Sequence, residues 1–182
     1  MLKLQTKRFV LRDFAPADTP AFLAYHADPR SSQFYPSHQA TRQHAEDLLS
    51  TFQRWAVAQP RLNFQLAVFR LREPQDLVGC VGLRSEDLPQ NEAEFGIEIA
   101  PQFWGLARYA VEISNAMLEF GFTDRNLDVI SGTTASENSR IIKLARWYGA
   151  EIQHANSRDD NTLCWRLTRD RWRRGKSLMR LR

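Results

Sequence analysis

The 182-residue sequence predicts an α/β fold, with strands and helices taking turns along the chain. Two observations carry this. Runs that alternate apolar and polar residues take turns along the chain with stretches whose apolar residues recur every three or four positions, the marks of a half-buried strand and an amphipathic helix. The second is the junction Glu94–Ala110. Phe95, Ile97 and Ile99 alternate with Glu94, Gly96 and Glu98, and Pro101 stops the strand because it has no N–H to give to a ladder. Gln102-Phe-Trp-Gly-Leu-Ala107 then leads into a long helical pattern. A strand that breaks through a small-residue loop into a helix start presents free backbone N–H groups and a positive dipole end, which suits a phosphate.

The elements follow in order. Arg8–Asp13 alternates and reads as the first strand. Asp18 is the expected N-cap of a helix through Phe22, Leu23 and Tyr25 that ends near Asp28-Pro29. Ser31–Ala40 reads as a polar loop containing Phe34, Tyr35, Pro36 and His38. Thr41 caps a helix carrying Ala45, Leu48, Leu49, Phe52 and Trp55. Asn63–Arg72 and Leu77–Leu83 are paired strands around the turn Glu73-Pro-Gln-Asp76. The helix after the central loop is expected to face inward with Leu106, Ile113, Met117 and Phe120 and outward with Arg108, Glu112, Asn115 and Glu119. Leu127–Ser131 is a short buried strand, Ser136 or Asn138 starts a helix closed by Gly149, and Asn161–Leu167 is the last strand.

Composition narrows the function classes. At 43% apolar and 25% charged residues the chain has the balance of an ordinary globular domain, and its longest apolar runs fall far short of a membrane span. The N-terminus carries no apolar core followed by a small-residue cleavage site, so a cytoplasmic protein without membrane contact is expected. Cys80 and Cys164 lie far apart and read as core thiols in a reducing compartment. The formal charge is +4, with the excess at the end: Arg166, Arg169, Arg171, Arg173, Arg174, Lys176, Arg180 and Arg182. Such a cluster could touch RNA or a ribosome, although no interleaved aromatic residues accompany it. His26, His38, His44 and His154 are scattered without metal spacing, and no metal is expected. Among them only His38 sits where substrate contact is expected. The oligomeric state is left open, a dimer being compatible.

Several of these stretches resemble one family. Gln102-x-x-Gly105-x-Ala107 matches the Q/R-x-x-G-x-G/A signature of the GNAT acyltransferases, whose loop holds the pyrophosphate of acetyl-coenzyme A. Leu4–Arg12 resembles the T-E-R-L-x-L-R opening of the RimJ/RimL-type branch, with Lys7 in place of the usual glutamate. Leu77–Leu83 resembles the L-I-G-x-I-G-L strand, and Glu137-Asn138 through Gly149 the E-N-x-x-S-x-x-V-x-x-K-x-G-F segment. Thr168-Arg-Asp-Arg-Trp172 is similar to the L-T-R-E-E-W close. The resemblance runs from residue 4 to residue 172. It implies the GNAT fold, a mixed, splayed central sheet flanked by helices on both faces, in a single domain over 1–182 whose basic tail covers 173–182.

The resemblance also implies chemistry. Acetyl-coenzyme A is the expected co-substrate. Backbone N–H groups of Gln102, Trp104, Gly105, Leu106, Ala107, Arg108 and Tyr109 would receive the pyrophosphate, with the Arg108 charge beside it. Asn138 matches the asparagine that hydrogen-bonds the pantetheine arm, and an amide of Ile97 or Ile99 the oxyanion donor. Family serine and tyrosine positions fall at Ile141 and Ala145, and Tyr148 reads as packing. Glu94 and Glu98 share a face of a central strand, where unpaired carboxylates are rarely buried, so either could take the proton of an ammonium. Pairing of one with Arg84 is the alternative. The implied function is N-acetylation of a primary amine by direct attack, the acceptor being a protein N-terminus of the ribosomal-protein type or a small molecule such as a polyamine, amino acid or aminoglycoside. A coenzyme-binding sensor without turnover is the rival.

Overall fold

The computed structural model describes residues 1–31, 41–154 and 161–179. Eight strands form one sheet: β1 (Lys3–Gln5), β2 (Phe9–Asp13), β3 (Asn63–Arg70), β4 (Leu77–Arg84), β5 (Glu92–Ile99), β6 (Val129–Ala135), β7 (Glu151–His154) and β8 (Thr162–Thr168). Their order is β1-β2-β3-β4-β5-β6-β8-β7. All neighbours are antiparallel except β5 and β6, so the sheet is mixed as expected. The helices are α1 (Thr19–His26), α2 (Arg42–Val57), α3 (Ala107–Glu119), α4 (Ser139–Trp147) and α5 (Arg169–Met179).

Because successive side chains of a strand point to opposite faces, β3 and β4 feed two cores at once. Leu66, Val68, Val81 and Leu83 pack with Ile113 and Met117 of α3. Ala67, Phe69 and Cys80 pack on the other face with Phe22 of α1 and Leu49 and Phe52 of α2. β3 and β4 are buried along nearly their whole length, and the helices sit on both faces.

The sheet splits at its one parallel pair. β5 meets β6 only through Glu92↔Val129, Ala93↔Ile130 and Glu94↔Ser131. Beyond this β5 stays with β4 as far as Ile99, while β6 follows β8 as far as Ala135. A bulge at Val78 shapes the outer half of β5, since Val68 pairs with Gly79 but Phe69 pairs with Leu77. Gly79 sits at φ 151°, and a Cβ there would lie 2.0 Å from the Glu98 carbonyl oxygen, so no other residue fits.

Some local expectations are corrected. Asp18 does not cap α1 with its side chain. Its carboxylate accepts from Arg12 at 2.7 and 2.8 Å and from the Ala15 N–H at 2.8 Å, a tertiary demand that outweighs the cap. Leu106 is not on the inner stripe but 47% exposed, because α3 begins only at Ala107. Glu112, expected in water, accepts from Thr6 at 2.6 Å and from the Arg8 guanidinium at 2.6 Å, which ties α3 to the chain start. β1 and β7 escaped the sequence pattern because three or four residues at a sheet edge show too little alternation. The tail expected from residue 173 begins inside α5, whose Trp172 packs on Phe122 at 5.2 Å between centroids.

Asp13 is 1% exposed and accepts from the Leu2 N–H and from the Arg61 guanidinium. Arg61→Ala leaves that carboxylate buried with its cation gone and is expected to cost about 3–5 kcal/mol, read as a shift of the urea unfolding midpoint.

Candidate active site

One face of β3, β4 and β5 forms the floor of a cleft. Register places Asn63, Gln65 and Ala67 opposite Arg84, Gly82 and Cys80, and these opposite Glu94, Gly96 and Glu98. The glycines Gly82 and Gly96 are paired and leave a hollow. Neighbouring side chains lie across it: a Cβ on Gly82 would meet Gln65 Oε1 at 2.0 Å, and one on Gly96 would meet Arg84 Nη2 at 2.9 Å. Arg84 Nη2 lies 3.6 Å from Glu94 Oε2, a loose and partly exposed pair. His44, Leu48, Phe52 and Trp55 of α2 complete a cavity of about 470 Å³. Thr41 caps α2 by accepting from the His44 N–H at 3.1 Å, as expected, and this fixes where the helix starts over the floor.

Glu98 is held from α1. Its Oε2 accepts from Tyr25 Oη at 2.9 Å, and His26 Nε2 lies 3.6 Å from the same oxygen. Burial raises the Tyr25 pKa well above its ordinary value, with Cys80 and Glu98 adding to the effect, so the phenol stays a neutral donor. Burial lowers the pKa of His26, against the opposing pull of Glu98 and with help from His44. Sequence reading passed over Tyr25 and His26 as site residues. They lie more than 70 positions from Glu98, and spacing along the chain carries no sign of a contact made by folding.

A second cavity, of about 480 Å³, opens on the far side of Glu98 between the central loop, α3 and α4. The Ala100 N–H donates to the Val78 carbonyl at 2.8 Å, so it points toward β4. Backbone groups alternate along a strand, which turns the N–H groups of Ile97 and Ile99 the other way, into the gap left by β6. The Ile99 carbonyl points there too and accepts from Trp104 Nε1 at 2.6 Å. Gly105 sits at φ 85°, and beyond its chain neighbours no atom of the described residues comes within 4 Å of where its Cβ would be. The glycine is thus required by the turn, and the space above it is open. Leu106, the N-cap of α3, has no side-chain hydrogen bond to the first turn, which leaves orphan N–H groups there among the described residues. The Tyr109 N–H is an exception: it donates to the Leu106 carbonyl at 2.7 Å, and its ring packs on Phe9 under the Arg8 guanidinium. Gln102 and Arg108 are exposed. Arg140 lies over the Trp104 ring at 4.6 Å and lines the cavity with Lys143.

Asn138 caps α4 by accepting from the Ile141 N–H at 3.3 Å, which uses its oxygen and leaves its amide NH₂ with no partner among the described residues. Both cavities share Ile97, Glu98, Asn138, Ile141 and Leu144. An anion-accepting loop and helix start therefore connect past two inward-facing amides to a carboxylate on the other side of the sheet. This is a fit for a long phosphorylated thioester, whose anionic end would lie at the uncapped helix.

The GNAT acetyltransferase domain model matches residues 8–151. The chain belongs to the GNAT acetyltransferase family. It is 26% identical over 145 residues to the uncharacterized N-acetyltransferase p20 of Bacillus licheniformis, covering 79% of each chain. A candidate ribosomal-protein-serine acetyltransferase from Vibrio cholerae superposes with a TM-score of 0.71 at 22% identity, over 92% of this chain and 97% of that one. The spermidine N-acetyltransferase of the same organism, solved with CoA and spermine, gives 0.69 at 19% identity over 92% and 99%. GNAT acetyltransferases use acetyl-coenzyme A, and the sheet of this chain opens as the GNAT resemblance implied.

Folding brings Glu98, Ile97, Ile99, Trp104, Gly105, Leu106 and Asn138 around one gap, while the side chains of Gln102 and Arg108 are exposed and line neither cavity. Glu94 stands apart, at its closed end beside Arg84. Tyr148 donates from its hydroxyl to the Val111 carbonyl at 3.0 Å and is packing, as expected. His38 lies outside the described residues. Arg166, Arg169 and Arg171 of the basic cluster pair with Glu92, Asp128 and Glu151, so part of that charge is internal to the fold. Among the described residues no cluster of three or more His, Cys, Asp or Glu could hold a metal, and no helix is long and apolar enough to cross a membrane.

The lowered pKa of His26 sets a sign for stability against pH. The unfolded histidine, with a pKa of about 6.5, takes up its proton before the folded one. Stability from neutral His26 is complete above that value and is lost as pH falls toward the folded pKa. Urea unfolding at pH 7.5 and 5.5 should show a larger acid-side loss for the wild type than for His26→Gln.

Proposed function

We propose that this GNAT chain moves the acetyl group of acetyl-coenzyme A to a primary amine by direct attack, with Glu98 as the base. The observation that carries this is the position of Glu98, on the acceptor face where the two cavities meet, next to the inward amides of Ile97 and Ile99. The coenzyme supplies a thioester whose thiolate, with a solution pKa of about 8.5, leaves near neutral pH. First-turn N–H groups of α3 and the Gly105 loop would bind its pyrophosphate, with Arg108, Arg140 and Lys143 adding charge. The Asn138 amide would hold the pantetheine arm.

Glu98 would remove the ammonium proton of the acceptor, directly or through water. The freed nitrogen lone pair forms the C–N bond at the thioester carbonyl, an Ile97 or Ile99 N–H receives the developing oxyanion, and the C–S bond breaks to release thiolate. The Tyr25 hydrogen bond keeps the carboxylate aimed. Glu94 would serve Arg84 instead.

The acceptor we favour is an α-amine next to a carbonyl or carboxylate, as in a peptide N-terminus. Arg84 crosses the floor of the acceptor cavity and can receive that oxygen, whereas it repels a polyamine. The Glu94–Glu98 pair and the likeness to a spermidine N-acetyltransferase favour the polyamine as second reading.

Thiol release from acetyl-coenzyme A, with short peptides, amino acids, spermidine and an aminoglycoside as acceptors, decides among these. Peptide α-amines should be the best substrates. Glu98→Gln should lower kcat by about 10²–10⁴-fold, while Glu94→Gln should stay within a few-fold of wild type. Equal activity in Glu98→Gln removes the base assignment, and tight coenzyme binding with no turnover on any amine makes the chain a sensor.

A further inference from the structure

The acceptor cavity does not end at Glu98. It continues through the gap between β5 and β6 to the other face of the sheet, where Phe95, Leu118, Leu144, Ala145, Trp165 and Leu167 line it, with the hydroxyls of Ser114 and Tyr148 at its wall and Thr133 and Thr134 of β6 beside them. This arm is mostly apolar and carries no charged side chain among the described residues. Two small residues make room for it. Gly132 of β6 lets the Trp165 indole lie flat on the strand, since a Cβ there would meet the ring at 2.7 Å. Ala145 presents only a methyl group from α4 and is buried.

The direction of this arm matters for the thioester. During attack the carbonyl carbon carries four groups. The sulfur lies toward the coenzyme cavity, the oxygen toward the Ile97 and Ile99 amides, and the nitrogen toward Glu98. The acyl substituent takes the remaining direction, down the gap into the apolar arm. An acetyl group offers one methyl to fill it.

We propose that this arm is an acyl pocket and that the chain takes short aliphatic acyl donors longer than acetyl, with propionyl- and butyryl-coenzyme A in the accepted range. The inference rests on the acyltransferase reading above. The reaction balances as before: the C–N bond forms, the C–S bond breaks, the amine proton goes to Glu98 and coenzyme A leaves as thiolate. Only the transferred acyl group changes.

Calorimetric titration of the whole chain with acetyl-, propionyl- and butyryl-coenzyme A, without amine, tests the pocket apart from turnover. Burial of each methylene should lower Kd by up to about 4-fold. Ala145→Leu should bring the butyryl Kd back to the acetyl value and leave acetyl-coenzyme A binding unchanged. Should that variant fold poorly, the wild-type series alone decides. A Kd that stays level or rises with chain length while acetyl-coenzyme A binds overturns the acyl pocket and leaves the transferase reading standing. Failure of all three donors to bind overturns both.

Discussion

Between β5 and β6 the sheet makes three paired positions and then stops, although both strands continue. A sheet edge is thereby placed inside the molecule, where backbone N–H and C=O groups must find partners or bear the cost of desolvation. The Ile99 carbonyl is answered by the Trp104 indole. The amides of Ile97 and Ile99 are turned toward the space a ligand would fill. Amide-bearing chains complete such edges readily, and a pantetheine arm carries two amide groups, so the split in the sheet is also its binding logic. Everything else at the site depends on it: the loop that starts α3 hangs from the open end of β5, and the two cavities communicate only because β6 has moved away.

Electrostatics on the acceptor face follow from strand alternation. Glu94, Gly96 and Glu98 occupy one side of β5, and the paired glycines between the carboxylates give Arg84 and Gln65 somewhere to lie. The two carboxylates then acquire different neighbours. Glu94 faces a guanidinium near the closed end of the gap, while Glu98 receives a hydrogen bond from a buried, neutral phenol at the open end. The guanidinium stands 3.6 Å from Glu94 in a loose, partly exposed pair, whereas the phenol fixes one oxygen of Glu98 by a hydrogen bond at 2.9 Å. The same residue type thus meets two different settings.

The fold was legible to a considerable degree because its signals are local. Phe95, Ile97 and Ile99 alternate, Pro101 ends the strand, Gly105 marks the positive-φ turn, and Asn138 and Gly149 bracket α4, where they are found. These depend on neighbouring residues and on backbone geometry. Asp18 misled for the opposite reason: its preference for capping is worth about 1 kcal/mol, and the pairing of its buried carboxylate with Arg12 outweighs it. Leu106 misled because the helical pattern was extended one residue into a loop that the glycine had already shaped.

By itself the sequence determined the alternation of strands and helices, the loop that can receive a phosphate and the pair of carboxylates on one face of β5. Each follows from residue chemistry at short range. Only the tertiary structure decided which carboxylate stands at the junction of the cavities, that Tyr25 and His26 hold it, and that an apolar arm runs past it beside Ala145 and Trp165. These facts arise from segments tens of residues apart brought together by packing, and the opening of β5 from β6 is a property of pairing between strands that neither strand carries alone.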